Sequence, residues 1–293
     1  MHNYKGSGKV RNSVKLILLT VFLFLFICSS HAYAGDKKWG DRMLEGRVSQ
    51  NGNEASVYYR NKGICDLTLT LTLEESLNCL TEPEIPATVV LKPGEEKMIL
   101  KVWQDDDSKR WFFRDHYYWR LGNQDAVHND EARYRFPWKS GKTFMVLQGF
   151  NGSFSHFDEF QYSLDFNMPE GTEICAAREG LVVDVVDSFD GSGLTDEYKK
   201  KTNVISILHP DGTIGSYAHI IKDGAKVKTG QYVKAGDVIG LSGNVGYSSC
   251  PHLHFDVHIP DGGKKIKTIP ILFKTVDSDG IEPQQDVEYT VSD

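Results

Sequence analysis

The sequence is poor in cysteine, in positive charge and in helical periodicity, and each shortage excludes something. It has 5 cysteines in 293 residues, and their spacings do not match a structural zinc knot. Its longest apolar run, Leu16 to Ile27, is too short to span a bilayer comfortably, with an uncleaved anchor as the alternative reading. The acidic run Asp105-Asp106-Asp107 lacks the glycine and ligand spacing of a calcium loop and reads as solvated. No segment carries a long 3.6-residue apolar period, so helical bundles are excluded.

The first 34 residues read as a cleavable signal peptide. Lys5, Lys9, Arg11 and Lys15 form a basic front, residues 16–27 an apolar core, and Ala32-Tyr33-Ala34 a small-residue cleavage site. Cys28 follows the bulky Ile27 rather than a small residue, which argues against lipid attachment. Processing would leave no stable membrane span and a periplasmic or secreted protein. It would also remove four basic and no acidic residues, leaving 29 basic against 40 acidic, a formal charge of −11. A nucleic-acid partner needs concentrated positive charge and is therefore excluded. Export also permits disulfides. Cys65 and Cys79 are the expected pair by proximity in sequence, and Cys175 with Cys250 is left open.

The mature chain has two textures, and the expected fold class is all-β. Residues 35–135 read as a β-sandwich-like module. In DLTLTLTL, residues 66–73, leucines and threonines alternate as in a half-buried strand. ATVVL and KMILKVW, joined by the turn Lys92-Pro93-Gly94-Glu95, suggest a second strand pair. Residues 136–275 alternate short β-branched or aromatic runs with glycine turns, which predicts an antiparallel β-domain with almost no helix. His209-Pro210-Asp211-Gly212 reads as a hairpin turn with a solvent-facing histidine. Residues 276–293 form an acidic tail expected as an edge strand or loose end.

Chemistry concentrates in the second half. Residues 252–258 read His-Leu-His-Phe-Asp-Val-His. On a strand, His252, His254, Asp256 and His258 share one face while Leu253, Phe255 and Val257 enter the core. Around this strand lie, in order, Leu164-Asp165-Phe166, Pro169-Glu170-Gly171-Thr172, Ala176-Ala177-Arg178-Glu179-Gly180, Gly215-Ser216-Tyr217-Ala218-His219 and Gly240 to Gly246. This ordered series resembles the lysostaphin/LytM family of zinc endopeptidases over residues 143–272. The resemblance implies a C-terminal β-domain of that type and an exported metalloendopeptidase cutting peptide cross-links or stem peptides of peptidoglycan. It also implies Zn2+ as cofactor, Asp165 and His254 as metal ligands, and His219 and His252 as catalytic histidines.

One position departs from the family pattern. The first metal histidine, four residues before the aspartate in H-x-G-x-D, is here Gln161, and Ser163 replaces the glycine. Glutamine is a poor zinc ligand. His156, nine residues before Asp165, is the candidate replacement if its loop folds back. The alternative implied by a lost ligand is a degenerate regulator that activates other cell-wall hydrolases. Asp256 is a candidate for orienting a histidine, and His258 for a place at the rim.

Overall fold

The computed structural model describes residues 37–291, so the proposed signal peptide lies outside the described residues. The first strands are β1 (Lys37–Gly40), β2 (Leu44–Asn51), β3 (Glu54–Asn61), β4 (Leu67–Leu77), β5 (Cys79–Glu82), β6 (Ala87–Leu91), β7 (Glu96–Gln104) and β8 (Phe112–Leu121). They form two sheets, ordered β1-β2-β3-β7-β5 and β6-β4-β8. The leucine–threonine alternation works as expected in β4. Leu67, Leu69 and Leu71 are fully buried against Val57, Tyr59, Leu100 and Val102 of the other sheet. Each such leucine contributes about 1.5–3 kcal/mol on burial.

The turn at residues 92–95 is present, but β6 and β7 are not a hairpin pair. β6 bonds to β4, whereas β7 bonds to β3 and β5, so the chain crosses between sheets at that turn. Local pattern predicts the turn. The partner of each strand is chosen by burial across the sandwich.

The remaining strands are shorter. They are β9 (Arg133–Tyr134), β10 (Thr143–Gln148), β11 (Leu164–Phe166), β12 (Glu173–Cys175), β13 (Gly180–Val186), β14 (Val204–Leu208), β15 (Ile214–Ala218), β16 (Tyr232–Val233), β17 (Val238–Leu241), β18 (Leu253–Asp261), β19 (Lys265–Thr268), β20 (Leu272–Phe273) and β21 (Glu288–Thr290). The main sheet runs β16-β13-β14-β15-β18-β11-β10-β21, with β19 paired to β18. Its pairings are antiparallel, and β21 closes one edge on β10, as an acidic edge strand should. Among the described residues the only helical turns are Asp158–Phe160 and Asp196–Lys199, so the fold is all-β. No helix of the described residues is long and apolar enough to cross a membrane.

One face of this sheet packs on an aromatic core containing Phe136, Trp138, Phe166, Phe255 and Phe273. Leu253, Phe255 and Val257 of β18 point into it and are fully buried. The opposite face carries the polar side chains of β18.

Two expectations fail. The described cysteines are all free thiols. Cys65 and Cys79 flank the 11-residue β4, which at ~3.3 Å per residue sets them far beyond disulfide reach. His209 is not solvent-facing but 2% exposed. Its Nδ1 donates to Glu179 O at 2.9 Å, and its ring packs edge-on against Tyr134. Burial pushes its pKa down to about 4.

Candidate metal centre

Asp165 sits at the middle of β11, where cross-strand register sets its neighbours. It lies opposite His254 of β18 on one side and Gln148 of β10 on the other, at a bulge. On the far side of β18, His254 pairs with Ala218, whose small side chain leaves room above the strand. His219 follows in the left-handed region at φ 65°, an uncommon conformation for a residue with a Cβ. That backbone turn ends β15 at His219. His252 precedes β18 and bridges to Gly243. A Cβ on Gly243 would lie 2.6 Å from Ile221 N and 2.8 Å from His219 O, so only glycine permits this packing.

The loop before β11 folds back. His156 is fully buried, and its backbone N–H donates to Gly152 O at 3.0 Å. Its Nε2 lies 3.3 Å from Asp165 Oδ2, and its ring centroid 5.4 Å from that of His254. Gln161 goes elsewhere. It is exposed and donates from Nε2 to Asn151 Oδ1 at 2.7 Å. The structure thus brings together His156, Asp165, His254, His219 and His252, and leaves Gln161 outside.

Hydrogen bonds settle how the imidazoles present themselves. His156 Nδ1 bonds Gly149 O at 2.9 Å, His219 Nδ1 bonds Val245 O at 2.9 Å, and His252 Nδ1 bonds Cys250 O at 2.8 Å. A carbonyl only accepts, so each neutral ring carries its proton on Nδ1 and a lone pair on Nε2. His254 differs. Its Nδ1 meets Asp165 Oδ1 at 2.9 Å and its Nε2 faces Asp256 Oδ2 at 3.4 Å. Asp256 in turn holds His258 Nδ1 at 2.5 Å. His258 therefore acts through Asp256 rather than at the cluster.

The charges follow. Burial disfavours an ionised Asp165, but the imidazoles of His156 and His254 set against it outweigh that and hold its pKa well below the usual range. Burial also disfavours a charged His254, yet Asp165 and Asp256 outweigh it and push the imidazole up to about 10. Burial, with help from His252 and His254, lowers His219 to about 3 and keeps it neutral.

Whether these residues suit a metal can be read from His156. Its Nε2 is buried without a hydrogen-bond partner among the described residues, a costly state unless something else takes its lone pair. Potential ligand atoms of His156, Asp165 and His254 all lie within 4.8 Å of one another. Tetrahedral zinc ligands at about 2.0–2.1 Å stand ~3.3 Å apart. Two nitrogens and one carboxylate oxygen, each steadied by a further hydrogen bond, suit zinc.

Gln148 was not visible as a site residue from sequence. It is 7% exposed, and its Nε2 donates to Asp165 Oδ2 at 3.2 Å and Ser155 Oγ at 2.7 Å. Its Oε1 accepts from Phe154 N at 3.0 Å and Ser155 N at 3.2 Å. One carboxamide thus ties the aspartate to the loop that carries His156. A polar residue ending the apolar run TFMVLQ was the available signal. Gly152 allows the contact, since a Cβ there would meet Gln148 Cγ at 2.2 Å.

Residues 159–268 match the sequence profile of peptidase family M23. Over that segment the chain is similar to peptidase family M23. Lysostaphin of Staphylococcus simulans is 36% identical over 138 residues, 46% of this chain and 24% of its own length. Peptidoglycan DD-endopeptidase ShyA of Vibrio cholerae is 36% identical over 93 residues, 32% of this chain and 19% of its own length. The chain thus spans about a quarter or less of these relatives. Among solved structures, the lysostaphin catalytic domain of Staphylococcus simulans is 29% identical and covers 43% of this chain and 87% of its own, with a TM-score of 0.31. The likeness to the family stands on the sequence match. His156 lies three residues ahead of the matched segment.

Proposed function

We propose that this protein is an exported zinc metalloendopeptidase that hydrolyses peptide cross-links or stem peptides of bacterial peptidoglycan. The observation that carries this reading is the convergence of His156, Asp165 and His254 from separate segments, with the buried His156 Nε2 lacking a hydrogen-bond partner. The substrate class is supported by the M23 match and by relatives named for peptidoglycan endopeptidase activity. The basic-apolar-small pattern of residues 1–34 supports export to the periplasm or beyond.

In this reading His156 Nε2, Asp165 and His254 Nδ1 hold the ion. Zinc bound there supplies Lewis acidity, polarising a peptide carbonyl and lowering the pKa of water. His219 and His252 do the proton work. Their rings stand 4.6 Å apart, centroid to centroid, each with Nδ1–H tied to a backbone carbonyl and Nε2 free to accept. One takes the proton of the attacking water at Nε2 and passes it to the amine released when the C–N bond breaks, and the other, protonated from solvent, donates to the developing oxyanion. Asp256 steadies His254 from behind, and Gln148 steadies Asp165. Residues 35–135 act as a separate module and residues 136–275 as the peptidase domain.

The test is zinc content of the purified protein together with release of soluble muropeptides from isolated wall. About one zinc per chain and zinc-dependent release are expected. A zinc-replete protein that releases nothing, yet activates another wall hydrolase, would instead identify a regulator.

A further inference from the structure

Beside the metal cluster, on the same face of the same sheet, lies a cavity of about 630 Å³. That size falls in the ~300–1,000 Å³ range of built ligand sites. Its floor is one transverse row of the peptidase sheet. Asp184, Ser206, Ser216 and Asp256 are successive cross-strand neighbours on β13, β14, β15 and β18, and the first three line the cavity with His258. The adjoining row is Val204, Ala218, His254 and Asp165. Rows two residues apart on a strand are separated by ~7 Å, so the floor of the cavity lies one row from His254 and Asp165.

The other wall comes from the N-terminal sandwich, and it is a strand edge. Six consecutive residues, His116 to Leu121 of β8, line the cavity. Both faces of a strand reach a cavity only when its edge points into it. β8 is the last strand of its sheet, with β4 on one side and no strand on the other among the described residues. Gly122 N donates to Asp66 O at 2.7 Å, which sets the alternation of bonded and non-bonded pairs along β4 and β8. By that alternation Arg120 and Tyr118 bond to β4, whereas Tyr117 and Trp119 direct N–H and C=O to the open side. Trp119 O accepts one long bond, from Arg120 Nη1 at 3.4 Å. Among the described residues, no backbone bond outside the β4–β8 ladder uses Tyr117 N, Tyr117 O or Trp119 N.

The charges around the cavity are already engaged. Asp184 forms a two-pronged pair with Arg42, Asp41 accepts from Trp119 Nε1, and Asp256 holds His258. The Ser206 and Ser216 hydroxyls have no hydrogen-bond partner among the described residues. Arg120, a cation in the lining, donates to Trp119 O at 3.4 Å and Lys264 O at 2.6 Å, and what is left to be read beside it is neutral main chain. We infer that this cavity binds an extended peptide segment of the substrate by strand addition to the free edge of β8, delivering the chain to the neighbouring metal row. The span His116–Leu121 gives about 17 Å of edge at ~3.3 Å per residue. The N-terminal sandwich then supplies half of the substrate groove. This inference rests on the proposed peptide substrate but not on turnover.

The test is hydrogen exchange and equilibrium binding with a labelled peptidoglycan stem tetrapeptide on purified protein, with zinc removed so that nothing is cut. Saturating peptide is expected to slow exchange of the Tyr117 and Trp119 amides at least tenfold. Ser216→Phe, which fills the floor, is expected to weaken binding at least tenfold while zinc affinity stays unchanged. Unprotected amides at 117 and 119 would overturn the proposal, as would Ser216→Phe binding like the wild type. Faster wall cleavage by Ser216→Phe would also overturn it, because the cavity would then be a plug. If Ser216→Phe does not fold, the wild-type exchange result decides alone. Protection without any zinc-dependent cleavage would refute the hydrolase reading and keep the peptide site. Cleavage without protection would do the reverse.

Discussion

Gln148 and Asp165 face each other across β10 and β11, and the carboxamide of one donates to the carboxylate of the other at 3.2 Å. The same carboxamide accepts two backbone N–H groups of the loop that carries His156. A proposed ligand, Asp165, and the loop bearing its proposed partner, His156, are thus joined by a single side chain.

Gln148→Leu removes all of these bonds and leaves buried donors unpaired. Each lost partner of this kind costs about 1–3 kcal/mol, and second-layer changes typically cost ~10–100-fold in metal affinity. Urea unfolding is expected to show a loss of that order, and chelator competition a zinc affinity at least tenfold weaker. Unchanged affinity would mean that the His156 loop holds its place without Gln148.

Gly243→Ala separates catalysis from metal binding. The new Cβ would press on Ile221 N and His219 O and displace the segment bridged to His252. Overpacking of this kind costs about 1–3 kcal/mol. A kcat reduced at least tenfold is expected with zinc affinity within about threefold of wild type, since neither His219 nor His252 is a proposed ligand. Equal losses of both would place these histidines among the ligands.

Acid should weaken the fold partly through His209. Its pKa is about 4 when folded, against ~6.5 when unfolded. Between these values the unfolded chain takes up a proton that the native state refuses, so stability falls as pH drops. The contribution is complete above about pH 6.5 and amounts to at most ~3 kcal/mol across the window. Asp211 acts lower. Although burial disfavours its charge, its bond from Arg178 leads a set that holds it below the usual range. Its share is lost only below the ordinary carboxylate pKa. Urea midpoints at pH 7 and pH 4.5 should fall less for His209→Asn than for the wild type. Parallel falls would show that this imidazole is not held neutral.

The parts of this protein that were legible in sequence are those with a period of two. DLTLTLTL and HLHFDVH state which side chains enter the apolar core, and the strands obey them, although Thr68, Asp256 and His258 on the other faces are buried too. Pairing was less legible, because the turn at 92–95 looks the same whether its strands bond to each other or separate into two sheets. The cluster was readable as a set of residue types, and His156, the candidate replacement for Gln161, does lie within 4.8 Å of Asp165 and His254 by their potential ligand atoms. The direction of that imidazole was not, since it depends on Gly149 O and on a loop tied down by Gln148. His209 was misread for a related reason. A histidine in a hairpin turn looks solvated until Glu179 and Tyr134, distant in sequence, close over it.

Zinc binding by His156→Ala compared with Gln161→Ala tests the central claim most directly. Competition with a chelator of known affinity, at one pH and ionic strength, gives both constants. With His156 as the third ligand, His156→Ala should lose at least a hundredfold in zinc affinity and Gln161→Ala less than threefold. A His156→Ala protein that binds zinc as tightly as the wild type would contradict the account, most plainly if Gln161→Ala were the variant that failed.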